Sequence, residues 1–205
     1  MPEPNSLSLM QWGISIAVPA VSGLCGVALG GWLISHREKI GRRHSFLIKQ
    51  LTDFYSPLLA LKCEIETIKK VRLKISQAAG KAWKDMFSKC GENPVALKQL
   101  DQSSGDKFKK IIDFDNEYLR ENTIPAYRNM VDIFRKAMWL AEKSTTEHFP
   151  ALLEFVNIWD RYLEDSLPGE VLQELDFSEQ MLKDFYDDLQ KQNDYLRGKL
   201  LKGDT

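Results

Sequence analysis

The chain has few of the residues from which common catalytic and metal sites are built. It contains three cysteines and three histidines. Cys25 lies in an apolar run, and Cys63 and Cys90 have no C-x-x-C spacing, which favours a reducing, cytosolic compartment over a disulfide framework. The phosphate-binding, zinc-protease and nucleophile-elbow motifs are missing as well. The sequence therefore predicts no catalytic residue, metal, cofactor or small-molecule substrate, and we do not expect an enzyme.

Segments in which apolar and polar residues alternate are also missing, so the sequence predicts no sheet. The chain is 43% hydrophobic and 28% charged, which is typical of a folded globular protein rather than a disordered one. We expect an all-α fold.

Charge is missing from residues 11–35, which form one long apolar run. Such a run is long enough to cross a bilayer as a helix. A cleaved signal peptide fits less well, because residues 1–10 carry Glu3 and no Lys or Arg. A buried helix of a soluble core would be unusually long. We therefore predict a transmembrane helix over residues 11–35.

The flanking residues predict an orientation for this helix. The cations Arg37, Lys39, Arg42 and Arg43 follow it directly, and cytoplasmic flanks of membrane helices are rich in such residues. Trp12 and Trp32 suit the two membrane interfaces. We therefore expect residues 1–10 to face outward and the rest of the chain to lie in the cytoplasm, with the basic segment 36–50 near anionic lipid headgroups.

Small residues recur every fourth position in the run, at Ser22, Gly26 and Gly30. Such a stripe lets two membrane helices approach closely. The alternative is that glycine is simply common in membrane helices.

Residues 51–205 are predicted to form a cytoplasmic antiparallel helical bundle. A long helix should begin it, because apolar residues follow a heptad pattern typical of packed helices; they are Leu47, Leu51, Phe54, Leu58, Leu61, Ile65, Ile68 and Ile75, with Arg72 in one apolar place. We expect Pro57 either to kink this helix or to begin a new one, with a kink preferred because the apolar pattern keeps its phase across it. Turn-forming residues predict a loop over residues 91–105, with at most one helical turn, and Ser144, Thr145 and Thr146 are predicted caps of a later helix. Trp83, Trp139 and Trp159 are predicted to be core residues.

Charge is unevenly distributed along the chain. Residues 36–110 hold 17 Lys and Arg against 8 Asp and Glu, and residues 111–205 hold 11 against 20. The basic half contains a run of cations on or near one helix, at Lys69, Lys70, Arg72, Lys74, Lys81 and Lys84. It could contact nucleic acid, lipid headgroups or the acidic later helices; internal or solvated charge is the preferred interpretation, and we expect no nucleic-acid partner.

Several cytoplasmic stretches resemble an uncharacterised family of bacterial proteins of similar length. They are FYSPLLALKCEI (54–65), VRLKIS (71–76), FKKIIDFDNEYLRENTIPAYRNM (108–130), WLAEKSTTEHFPALLEFVNIWDRYL (139–163) and SLPGEVLQEL (166–175). The resemblance implies an N-terminally anchored, all-helical protein in the bacterial inner membrane, and it implies no activity.

Three functions are compatible with these features. The first is an interaction or scaffold protein that forms homo-oligomers or docks a protein partner at the membrane. The second is a membrane effector, of a defence or toxin type, whose anchor helices cluster and perturb the bilayer. The third, an enzyme acting on lipid, is the weakest because the sequence shows no set of polar residues that would form a catalytic site.

Overall fold

The computed structural model describes residues 31–91, 93–175 and 177–202. All regular elements in these ranges are helical, which confirms the predicted all-α class. The α-helices are α1 (31–49), α2 (Ser56–Cys90), α3 (Pro94–Leu100), α4 (Asp106–Tyr118), α5 (Ile124–Ala137), α6 (Lys143–Thr146), α7 (Phe149–Leu163), α8 (Gly169–Glu174) and α9 (Lys183–Lys202).

Short helical segments of other types join several of these helices. Three are π-helical, at Gln50–Tyr55, Asp101–Gly105 and Leu119–Thr123, and two are 3₁₀-helical, at Met138–Leu140 and Glu179–Leu182. The chain is therefore helical without a break from residue 31 to Cys90. It reverses between α2 and α3, where Gly91 adopts a positive φ of 57° that suits glycine, and it then returns antiparallel through α3, α4 and α5.

Two of the π segments precede a proline at the start of the next helix. A proline inside a helix donates no backbone hydrogen bond, and its ring crowds the carbonyl four residues earlier. Before Pro57, the amide of Ser56 donates to the carbonyl of Leu51, five residues back, and before Pro125 the amide of Ile124 donates to Leu119 in the same way. The wider π turn gives each proline ring room, so the helix continues past it.

The core lies where α2, α5, α7 and α9 meet around the first π segment. Phe54 and Phe134 pack edge to face, with ring centroids 4.9 Å apart, and Phe134 stacks on Phe149 of α7. Arg128 on α5 donates to Asp160 on α7 through both Nε and Nη2, at 2.9 and 2.7 Å. These contacts hold α7 against the hairpin.

The predicted heptad pattern is confirmed over the first part of the long helix. Leu51, Phe54, Leu58 and Ile65 are buried, but Ile75 is 43% exposed, so including it was wrong. The C-terminal part of α2 pairs with α3 and α4, and we call this extension the distal arm (Val71–Cys90, α3 and α4). Two paired helices shield only the stripes that face each other, and the other apolar side chains stay exposed.

Two local predictions were wrong. Residues 91–105 are not a loop, because helix resumes at Pro94 and continues through the π segment Asp101–Gly105. The hydroxyls of Ser144 and Thr146 do not cap α7. The residues form the separate short helix α6, and Thr145 is fully buried.

Within the described part of the chain, no helix combines the length and apolar character needed to cross a membrane. Most of the predicted span, residues 11–30 with Trp12, Ser22, Gly26 and Gly30, lies outside the described residues.

Candidate functional site

The first candidate is the exposed part of α1, residues 31–46, which we call the stalk. All its side chains are exposed, including the predicted lipid-facing cations Arg37, Lys39, Arg42 and Arg43. Among the described acidic groups, none forms an ion pair with these cations. Trp32 is 63% exposed and stacks on His36, with ring centroids 5.5 Å apart. The stalk thus extends away from the bundle as a basic helix.

An exposed aromatic pair lies where the stalk joins the bundle. Trp139 is 63% exposed, so the prediction that it is a core residue was wrong. It packs against Phe46 at 5.8 Å between ring centroids, and Arg42 and Lys49 line the same shallow depression. Solvent-exposed tryptophan beside arginine is typical of surfaces that bind another protein.

A buried polar network fixes the segment between α5 and α7 to the long helix. Gln50 donates to the carbonyl of Leu140 at 2.8 Å and to the Glu142 carboxylate at 3.1 Å. The Tyr55 hydroxyl accepts from the Glu142 amide at 2.9 Å and bonds with the Thr145 hydroxyl at 3.1 Å. Thr145 in turn donates to Asp188 on α9 at 2.6 Å. The network joins the first π segment, the segment between α5 and α7, and α9, and it stabilises their packing. We call this network the lock.

Replacing Tyr55 with phenylalanine tests this lock. The change keeps the ring but leaves the Glu142 amide without its acceptor, so the free energy of unfolding is expected to fall by about 1–3 kcal/mol. Urea unfolding followed by circular dichroism measures this. Tyr195→Phe is the matched control, because Tyr195 is largely exposed. An equal effect of the two changes would contradict the lock.

The second candidate is a cleft between α2 and the later helices. Its walls are mainly apolar and enclose about 350 Å³. The wall residues come from α2, from the chain around α4 and α5, from α7 and from the segment before α9; they include Ile65, Ile68, Leu119, Tyr127, Phe155 and Trp159. Trp159 donates through Nε1 to the carbonyl of Phe177 at 3.2 Å, which fixes the indole in the wall. The prediction that Trp159 packs in the interior holds in part, since it is partly buried against the core.

Ion pairs form the rim of the cleft. Lys69 and Glu179 lie 2.6 Å apart, between Nζ and Oε2, and Arg72 lies 3.4 Å from Asp115, between Nε and Oδ1. A second, more polar depression of about 410 Å³ lies on the other side of the Lys69–Glu179 pair. Two cations of the basic half are thus paired within the fold, whereas Lys70, Lys74, Lys81 and Lys84 are exposed.

A chain of hydroxyl groups continues inward from Glu179. Tyr127 donates to Glu179 Oε1 at 2.9 Å, and Tyr186 donates to the Tyr127 hydroxyl at 3.4 Å. Burial raises the pKa of Tyr127 well above its ordinary value, and its interactions with Tyr186 and Glu179 raise it further. Burial also raises the pKa of Tyr186, although its bond to Tyr127 acts in the opposite direction. Both groups are therefore neutral hydrogen-bond donors at physiological pH.

The raised pKa values predict a loss of stability at alkaline pH. Above about pH 10 the unfolded chain loses these two tyrosine protons while the folded protein keeps them, so the free energy of unfolding falls as pH rises. Below that pH both states hold the protons and the contribution is constant. Urea unfolding at pH 8 to 11 measures the slope, and Tyr127→Phe is expected to make it shallower. A slope unchanged by this substitution would contradict the assignment.

The described residues show few other reactive arrangements. Cys63 is exposed on α2, and Cys90 Sγ lies 3.8 Å from the carbonyl oxygen of Ala96. Within the described ranges, no group of three His, Cys, Asp or Glu side chains is placed to hold a metal ion. The cleft can bind and orient a molecule through apolar contacts and rim charges.

Comparison of the chain with protein family models, with curated proteins and with solved structures finds no match.

Proposed function

We propose that the protein is a membrane-anchored helical interaction protein that self-associates at the cytoplasmic face of a bacterial inner membrane. The single observation that carries this proposal is the stalk. It is a regular helix with exposed side chains that begins in the last residues of the apolar run 11–35 and continues into the core helix α2.

The exposure of the stalk is informative because isolated helices are marginal in water. Helices in proteins gain most of their stability from packing an apolar face. The stalk packs on the bundle at its C-terminal end, where Phe46 meets Trp139, while residues 31–45 are exposed. Its Lys and Arg side chains form no ion pair with a described acidic group. Contact with a lipid surface or with a second copy of the chain would supply packing for residues 31–45 and partners for the cations. Near anionic lipid, each Lys or Arg contributes about 1 kcal/mol.

The bundle offers surfaces for a partner. The Trp139–Phe46 pair lies at the base of the stalk, flanked by cations. The distal arm exposes further apolar side chains, among them Leu73, Phe87, Val95, Ile112 and Phe114. Exposed apolar side chains that form a contiguous patch mark an interaction surface.

Crosslinking in native membranes tests self-association. The full-length protein is treated with an amine-reactive crosslinker, and the complex is extracted in gentle detergent and its mass measured. We expect a defined oligomer, weakened when Gly26 and Gly30 are both replaced with leucine, because bulk would separate the helices.

Ala28→Leu is the matched control, because residue 28 falls on the other side of an ideal helix from the Ser22, Gly26 and Gly30 stripe. It places a leucine outside the stripe and should leave the oligomer intact. Recovery of only the monomer from the unmodified protein would contradict the proposal.

A further inference from the structure

The cleft behind the Lys69–Glu179 pair has the composition of a ligand site. Its volume of about 350 Å³ falls within the range of small-molecule pockets, which are largely apolar with a few placed polar groups. Aromatic and branched aliphatic side chains, among them Phe155, Trp159 and Ile68, form its walls. Such walls suit a hydrocarbon chain.

The polar group that directs the choice of ligand is Arg72. This residue lines the cleft, and its Nε atom is buried without a hydrogen-bond partner among the described residues. Asp115 is near enough for an ion pair, at 3.4 Å, but the geometry does not complete a hydrogen bond. A buried donor without an acceptor is costly. Because Nε is closed off from solvent against Asp115, a ligand in the cleft meets the rest of the guanidinium, which belongs to a side chain that is 36% exposed. A negatively charged acceptor that enters the cleft would form a strong, charge-assisted bond with it.

The surrounding charges favour an acceptor with a single negative charge. The cations of the cleft and of the adjoining depression are Lys62, Lys69, Lys70, Arg72 and Lys183. Four carboxylates lie near them. Glu66, Glu179 and Asp187 are in the walls, and Asp115 is beside Arg72. Five cations against four carboxylates leave one positive charge in excess. A carboxylate matches this excess, whereas a phosphate monoester near its second ionisation would exceed it.

We propose that the cleft binds a fatty-acid-like amphiphile, with its carboxylate at Arg72 and its hydrocarbon chain against Phe155 and Trp159. The Arg72 guanidinium and the apolar walls together define this chemistry. When the ligand binds, Lys69 gives up part of its interaction with Glu179 and contacts the ligand carboxylate instead. The Lys69–Glu179 ion pair therefore lies at the entrance of the cleft.

Photoaffinity labelling in a defined bilayer tests this proposal. The full-length protein in nanodiscs is exposed to octanoate that carries a diazirine at the end of its chain, and the labelled residues are mapped by mass spectrometry. We expect adducts on the cleft walls, removed by competition with octanoate and retained with octyltrimethylammonium or octanol. Locating the adducts separates binding in the cleft from partition into lipid.

Two variants and a control make the test specific. Arg72→Gln removes the charged donor and is expected to reduce cleft labelling about tenfold or more. Thr123→Phe adds a ring to a half-buried wall position and is expected to reduce labelling by filling the cavity. Arg135→Gln removes an arginine from an exposed pair with Asp132 and should leave labelling unchanged. Circular dichroism confirms that each variant folds.

Three results would overturn the proposal. The first is labelling confined to the N-terminal apolar run, and the second is cleft labelling that neither Arg72→Gln nor Thr123→Phe reduces. The third is competition by octyl phosphate that is stronger than competition by octanoate, because it would identify a phosphate headgroup as the ligand.

Discussion

Replacing Phe54 with alanine is expected to lower the free energy of unfolding by about 3–5 kcal/mol. Phe54 is fully buried, at 0% exposure, and its ring packs edge to face on Tyr55 at 5.0 Å and on Phe134 at 4.9 Å between centroids. Removing it deletes both aromatic contacts and leaves a cavity that a rigid helical core fills only in part. Urea unfolding in mild detergent, followed by circular dichroism, measures the loss.

Phe114 on α4 provides the matched control for this substitution. It is 64% exposed on the distal arm, and Phe114→Ala is expected to change the free energy of unfolding by no more than about 0.5 kcal/mol. Similar losses at the two positions would contradict the placement of the core around the first π segment.

Replacing Arg37, Lys39, Arg42 and Arg43 together with glutamine is expected to disturb the orientation of the protein in the membrane. In the proposed topology these cations keep the C-terminal side of the apolar run in the cytoplasm. Native Cys63, which is exposed on α2, reports the outcome. A membrane-impermeant maleimide added to spheroplasts should leave Cys63 almost unlabelled in the original protein and label a large fraction of it in the variant.

The control for this experiment removes equal charge farther from the membrane. Lys70, Lys74, Lys81 and Lys84 are exposed on α2 and lie beyond the roughly 15–20 residues over which flanking charge sets orientation. Replacing them with glutamine should leave Cys63 protected. Labelling of Cys63 in the original protein, without permeabilisation, would contradict the proposed topology.

Most of the helical architecture could be predicted from the sequence because burial imposes a helical period on it. Leu51, Phe54 and Leu58 follow that period and are all buried. The π segments could not be predicted, since they depend on how a helix relieves the crowding at Pro57 and Pro125. The predicted loop over residues 91–105 was wrong for a related reason: a π turn accommodates the polar residues that end at Gly105.

The candidate sites were harder to predict because their residues are far apart in the chain. Tyr55 and Thr145 are 90 positions apart, and an interpretation of Thr145 as a helix cap used only its neighbours. Asp188 lies next to Asp187 in the sequence, a pairing typical of a solvated helix surface, yet it accepts a hydrogen bond from Thr145. For the cleft, one signal was visible in the sequence: Arg72 occupies an apolar place in the heptad pattern, and it is the residue whose donor lies buried in the wall.

In the proposed topology, residues 11–35 hold the protein in a lipid bilayer while the bundle remains outside it. Ultracentrifugation of lysed bacterial cells that produce the intact chain, without detergent, tests this anchoring. We expect the protein to sediment with the membranes, to resist extraction by alkaline carbonate and to be released by detergent. Intact protein in the supernatant, with its N-terminus shown to be complete, would exclude a membrane anchor in residues 11–35.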